Sequence, residues 1–470
     1  MRLERKHPLL QRINEFLYSP PFFLLIGVLT ALSNIFGLEL VVYPCFILIA
    51  GYVCLCARDL LPLMPMFVCG YISLSSKNNP AFNTNHIFSL HGTGKYIYAM
   101  LIPLVICLIY RLVTDPDFGG WKFLKKKRML LPGMVILGLC YAISGCKSGQ
   151  WAEYGWQNLF MAFLQFIAIA GLYYLLCGGV RWDLAPKAYL FWTGMCVGYV
   201  LLAELAGIYI YKDVIRNGII VRDYIHTGWG HCNNIGALFA VIIPLPFFLT
   251  GKGKYAWFAY VSAAAFYGGL VLTCSRGAIA VGTVFFLAGY VLSLVHSSHA
   301  RRQYWVHAIA VVIPVIAVAF FYEDLHKLFW RMIARGLYSG ERDEIYTEGL
   351  KQFKEFPIFG GSFFPVDYDI YVWAEESTGF TKIFPPRWHN TVVQLLATGG
   401  VVCLTGYLIH RVQTLWLFFR RCNKEKLFAF LSVLALLTAS LVDCHFFNVG
   451  PVLLYSSTLA FVECRLDKKE

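Results

Sequence analysis

Residues 385–396 read P-P-R-W-H-N-T-V-V-Q-L-L, and the change of character in their middle decides how the chain is read. A cation, a titratable ring and an amide (Arg387, His389, Asn390) stand directly before a run that carries no Lys, Arg, Asp or Glu until Arg411. Crossing the hydrocarbon core takes about 20 predominantly apolar residues. The run 390–409 is therefore one membrane span, and the polar residues mark its mouth at a membrane surface. Upstream, residues 356–364 read F-P-I-F-G-G-S-F-F, followed by an acidic stretch with Asp367, Asp369, Glu375 and Glu376. Together they form the middle and end of 323–389, the longest segment between apolar runs and well above ordinary connection lengths. Chemistry is expected here.

Composition extends this reading to the whole chain. Of 470 residues, 58% are hydrophobic and 14% charged, with mean hydropathy +0.60; a soluble domain carries about 25% charged residues. Apolar segments fall at 20–36, 39–56, 60–75, 96–113, 129–146, 158–178, 188–210, 232–250, 256–274, 278–296, 305–322, 390–409, 426–442 and 448–464. The expected fold is an all-α membrane protein, a polytopic bundle of about 12–14 transmembrane helices. It forms one integral membrane domain over 1–470, with 323–389 as an external loop or lid. The segment 60–75 is short and interrupted by Pro62 and Pro65, as a half-span would be.

The net charge of +13 has a membrane explanation. Lys and Arg cluster at the N-terminus, at 122–128, at Arg181 and Lys187, at Lys252 and Lys254, at Arg301 and Arg302, at 411–426 and at 465–469. With fourteen spans these all fall on one side, which the positive-inside rule makes the cytoplasm. No nucleic-acid motif accompanies them. The 15 cysteines lie mostly within apolar runs and form no C-x-x-C pair, so neither a disulfide framework nor a zinc site is indicated. The basic N-terminus precedes a first span rather than a cleaved signal peptide.

On the opposite, external side several residues are placed for chemistry. Arg276 sits in T-C-S-R-G-A-I-A between two apolar runs; it is either an interfacial snorkelling cation or an anion site, since guanidinium binds phosphate bidentately. Arg342, in Y-S-G-E-R-D-E-I-Y, is either paired with its acidic neighbours or turned to an anion at a helix N-terminus. His389 is the external group suited to accept a proton near neutral pH. Asn390 reads as a helix cap. His231 and Asn234, in H-C-N-N-I-G, open another span on the same side, and Arg387 and Trp388 flank His389. Glu204 lies inside a span, where it bonds a neighbouring helix or couples a transported charge. The amphipathic positions Leu325, Leu328, Phe329, Met332 and Ile333 predict a surface helix. The Gly360–Gly361 pair is expected to end a second helix and begin an irregular lid.

Three of these elements in order resemble the O-antigen ligase and O-antigen polymerase family of membrane glycosyltransferases. They are S-R-G at 275–277; S-G-E-R-D-E-I-Y with L-K-Q-F-K-E-F-P-I-F-G-G-S-F-F over 339–364; and H-N-T-V-V-Q-L-L-A-T-G-G-V-V at 389–402. H-C-N-N-I-G at 231–236 is similar to an Asn-containing span opening of the family, and the likeness covers about 230–410. Tyr346 stands where the family more often has Trp, and Gly361-Ser362 replaces a G-x-G spacing. The resemblance implies a GT-C-like enzyme of the cytoplasmic (inner) membrane with its active face external or periplasmic. It implies inverting transfer of glycan from a polyprenyl diphosphate carrier to a glycan or lipid acceptor, with no metal and no cofactor. His389 would activate the acceptor hydroxyl, and Arg276 and Arg342 would hold the donor diphosphate. Asn390, His231, Asn234, Arg387 and Trp388 would contribute to substrate binding. A repeat-unit polymerase of the same family is the alternative. A transporter of carrier-linked glycan is the rival from another class, and would place charges near the midplane and repeat one half; a non-catalytic assembly scaffold is a third reading.

Overall fold

Inside a bilayer every backbone N–H and C=O must be bonded within the protein, so each apolar run of this chain resolves as a helix. The computed structural model describes residues 8–74, 94–114, 128–149, 151–227, 229–335, 342–363, 388–421 and 423–464. Among these residues the only strands are the short antiparallel pair Ile215–Arg216 and Ile219–Ile220, joined by Asn217 and Gly218, both at positive φ.

All fourteen apolar segments contain a helix, but their lengths differ. Among the described residues, six helices are long and apolar enough to cross a membrane: Asn158–Gly179, Tyr189–Tyr211, Cys232–Gly251, Gly253–Leu272, Arg276–His296 and Thr391–Arg420. A seventh span forms if Pro8–Leu17 and Pro20–Phe36, bent by 71°, count as one. Six further apolar helices have 10–17 residues. Leu63–Leu74, with 12 residues, rises about 18 Å and covers only part of a roughly 30 Å core, as the prolines predicted. The segment 323–389 begins with two short helices, Tyr322–Leu328 and Trp330–Arg335, and continues in Arg342–Glu355.

The Cys232–Ile242 helix, buried along nearly its whole length, packs against Ala256–Leu272, Arg276–His296 and Lys424–Val442. It brings the start of one span beside the start of another and the end of a third. At the far end of the bundle, buried polar groups close the connections. Arg111 donates to the carbonyls of Val53, Cys54, Ala57 and Arg58, terminating the Glu39–Leu55 helix. The Glu463 carboxylate accepts from the N–H groups of Met129 and Leu130, which precede the Leu131–Ala142 helix. The basic run expected from Arg411 onward begins later than the sequence indicated. Arg411 is buried inside the Thr391–Arg421 helix, its guanidinium 4.0 Å from the Phe446 ring and 4.3 Å from that of Tyr407, and bonded to the Tyr455 hydroxyl at 2.6 Å. Aromatic faces supply the partners water would otherwise give. Glu204 bonds a neighbouring helix, accepting from Asn34 at 2.8 Å, and also from the Trp229 ring N–H at 3.2 Å.

A helix break governs the region around His389. The Thr391–Arg421 helix kinks at Gly400, whose φ is +62°. The break releases carbonyls on one side and N–H groups on the other, and the 357–362 segment takes both. Gly361 and Ser362 donate to Ala397 and Thr398, while Val401 and Val402 donate to Pro357 and Ile358, at 2.8–3.2 Å. Gly145 adds a bond to Phe359 at 2.7 Å, and Asn158 accepts from Ser362 and Phe363. The irregular stretch expected to start at Gly360–Gly361 is therefore bound to the bundle in its first residues. Residues 360–363 are buried, and they are held because only they satisfy the broken helix. The remainder of the expected lid, 364–387, lies outside the described residues.

Gly400 leaves no room for a side chain, since a Cβ there would lie 2.4 Å from the Ile358 carbonyl oxygen. Left-handed backbone alone costs an L-residue roughly 1–2 kcal/mol. Gly400→Ala should lower the thermal midpoint of the detergent-solubilised protein by several degrees, or abolish its folded yield. Gly268→Ala, with nothing within 4 Å of the added methyl, should not.

Candidate active site

The site is built where the Lys424–Val442 helix turns into Val449–Cys464 through the short connection 443–448. Asp443 is the first residue of that turn, with a side chain only 7% exposed. Its Oδ1 lies 3.1 Å from His389 Nδ1 and accepts the Cys444 N–H at 2.7 Å, while Oδ2 accepts from Asn233 Nδ2 at 3.1 Å. Burial alone would raise this carboxyl. The hydrogen bond from His389, the charges of His445 and His389 and the Cys444 N–H together hold it well below the usual carboxylate range. In the sequence Asp443 is only an external residue beside His445, and Asn233 one of a cluster with His231 and Asn234, with no site role for either. A carboxylate closing a span, on the side where a histidine opens one, is the signal that would have found them.

His389 has a φ of +49°, a strained conformation for a residue other than glycine. Neighbours on three sides impose it. Its carbonyl accepts the Tyr346 hydroxyl at 3.1 Å, Asp443 holds Nδ1, and Asn390 pins the next residue to the helix start. The Asn390 Oδ1 accepts from Val392 and Val393, and its amide donates to the Leu441 carbonyl at 2.8 Å. Asn390 is thus the cap of the following span and the brace between two helices. The imidazole is 35% exposed, which leaves its outer edge open to a ligand.

Arg276 is joined to this pair through a chain of side chains. Asn233, bonded to Asp443 through its amide, accepts the Ser275 hydroxyl at 3.0 Å through its carbonyl oxygen. Ser275 directly precedes Arg276 at the start of the Arg276–His296 helix, and Cys274 before it has a φ of +54°. Strained residues thus stand at both the His389 and the Arg276 turns. Arg276 lines a cleft together with Ile220, Arg222, Asp223, Cys274, Leu328, Phe329 and Met332. Arg342 begins the Arg342–Glu355 helix one turn before Tyr346. Burial raises the Tyr346 hydroxyl; the Arg342 charge opposes this and that of Asp443 adds to it, so all three groups share one neighbourhood.

The other expected site residues divide. Asn234 is buried and accepts from Asn448 at 2.8 Å, which also reaches His445, so it fastens the 443–448 connection. His231 is exposed at the start of the Cys232–Ile242 helix, bridged through its backbone to His226. Trp388 is a correction: its ring is 0% exposed, packed close to Gly349, and has no face to offer a sugar. Tertiary packing against the Arg342–Glu355 helix claims it. Arg387 lies outside the described residues.

No curated protein matches the chain. The family model for O-Antigen ligase matches residues 261–408, the stretch that carries Arg276, Arg342 and His389; Arg222, Asn233 and Asp443 fall outside it. This match indicates a ligase- or polymerase-type, glycosyltransferase-like activity. With its helical architecture, the chain is a multi-pass membrane protein whose residues 261–408 are similar to the O-antigen ligase family.

Proposed function

We propose that the protein is a ligase of the outer face of the cytoplasmic membrane, transferring a glycan from a polyprenyl diphosphate carrier to an acceptor hydroxyl. The observation that carries this is the continuous path His389–Asp443–Asn233–Ser275. It joins a carboxylate-held imidazole to the turn bearing Arg276. A general base and an anion-binding group thus lie within one site. The family match over 261–408 supports the ligase reading. That all three charged site residues sit at the end of the bundle opposite the basic connections supports the sidedness.

The roles follow from the geometry. Asp443 takes the Nδ1–H of His389, which fixes the tautomer whose Nε2 lone pair accepts a proton. That nitrogen removes the acceptor hydroxyl proton as the oxygen attacks the anomeric carbon from the face opposite the diphosphate. The anomeric carbon–oxygen bond breaks, and its electron pair leaves with the diphosphate. Arg276 and Arg342 stabilise the charge that develops there, needing no reorganisation because both are anchored at helix starts. Asp443, ionised and buried, then offsets the charge of the imidazolium.

His389→Ala should reduce glycan transfer about 10²–10⁴-fold, the contribution of a positioned base, with an unchanged thermal midpoint. Asp443→Asn should lose about 10–100-fold, as for other residues that orient a functional histidine. Unaltered product formation by either variant in a reconstituted assay with carrier-linked glycan would overturn the base assignment. Arg276→Lys keeps the charge and loses the bidentate fork; transfer should fall about tenfold or more, and near-normal transfer would make Arg276 a surface cation. Asp443 also predicts an acid limit on stability. Its native pKa is depressed, so its stabilisation is present above the unfolded value of roughly 3.9 and is lost as pH falls through the lower native value. The difference in thermal midpoint between the wild type and Asp443→Asn should shrink as pH falls below about 4.

A further inference from the structure

The cleft beside Arg276 contains a second guanidinium that the sequence did not single out. Arg222 stands in the turn Arg222–Tyr224, directly after the strand Ile219–Ile220, and lines the same cleft as Arg276. The two side chains come from elements more than fifty residues apart in the chain, so tertiary packing alone makes them neighbours. Arg222 faces Asp223 at 4.0 Å, a loose pair whose acidic member is largely exposed. Among the described residues, the buried Arg222 Nε has no hydrogen-bond acceptor. A buried guanidinium N–H without an acceptor is costly unless a ligand supplies one.

The opposite wall is apolar. Leu328, Phe329 and Met332 come from the two short helices Tyr322–Leu328 and Trp330–Arg335, which pack on the Ile219–Ile220 strand. The hairpin tip fits closely there, since a Cβ at Gly218 would come within 3.1 Å of the Lys327 side chain. Two cations on one side and three large apolar side chains on the other match a ligand that is a diphosphate at one end and a hydrocarbon at the other. An inorganic anion would leave the apolar wall unused, and an ordinary phospholipid would use one cation where two are placed.

Resting on the transfer reading above, we propose that Arg222 and Arg276 together hold the carrier diphosphate, and that Leu328, Phe329 and Met332 pack on its first isoprene units. Arg342, beside Tyr346 and His389, then faces the sugar-proximal side of the same diphosphate. This gives the donor a fixed direction, hydrocarbon toward the 322–335 helices and glycan toward His389. It also assigns the two short surface helices the task of reading the lipid.

Binding of glycan-free polyprenyl diphosphate to the full-length protein in nanodiscs tests this, with polyprenyl monophosphate, inorganic diphosphate and phosphatidylglycerol as competitors. Arg222→Ala should weaken the diphosphate lipid about tenfold or more, with Arg222→Lys intermediate and thermal midpoints unchanged. Phe329→Ala with Met332→Ala should weaken the polyprenyl ligand and leave inorganic diphosphate unaffected. Equal binding by wild type and Arg222→Ala, or equal competition by inorganic diphosphate or phosphatidylglycerol, would overturn the proposal. His389→Ala separates it from the transfer reading. That variant should bind the lipid normally and fail to transfer; if it transfers normally while Arg222→Ala still loses binding, the base assignment falls and the anchor stands.

Discussion

One buried carboxylate organises the working end of this bundle. Asp443 accepts hydrogen bonds from the His389 ring, the Asn233 amide and its own neighbour's N–H, so three spans meet at a single side chain. A charge buried to that degree persists only when its lone pairs are occupied by donors. That requirement fixes where the three helix ends sit relative to one another. The same contact holds the imidazole at its Nδ1, so the helix ends and the His389 ring are fixed together.

The same logic of satisfying polar groups in an apolar setting shapes the support beneath. A helix broken in a membrane must have its freed carbonyls and N–H groups taken up by protein. The break at Gly400 does this by accepting the 357–362 segment as a short partner strand in all but name. The segment leading toward His389 is thereby anchored in the core, and the Arg342–Glu355 helix before it packs along the Thr391–Arg421 helix. Tyr346 and Arg342 are carried to the rim of the site as a consequence. The strained backbone of His389 and Cys274 persists because these contacts over-determine it.

Much of this was legible in the chain. Helix positions followed from hydropathy because the bilayer allows few alternatives to a helix for an apolar run of that length. Asn390 read as a cap and is one, since capping is a local interaction between a side chain and the next two N–H groups. The prolines at 62 and 65 marked the short third helix. Local rules failed where a distant element competed. G-G-S-F read as the start of an irregular stretch with no fixed partner, yet a helix break elsewhere claims its backbone. Trp388 looked like a sugar platform and is buried under Gly349. Arg411 looked like the first residue of a basic connection and is stacked among aromatic rings.

By itself the sequence determined that this is a helical membrane protein, where its apolar helices lie, and that Arg276, Arg342 and His389 stand near helix starts. Those properties depend on residues close together in the chain, through hydropathy, capping and turn chemistry. Only the tertiary structure decided that Asp443 holds His389, that Asn233 and Ser275 link that pair to Arg276, and that Arg222 shares the Arg276 cleft. Each of those pairings joins residues separated by forty positions or more, and what selects them is the cost of leaving a buried polar group without a partner, which no local pattern records.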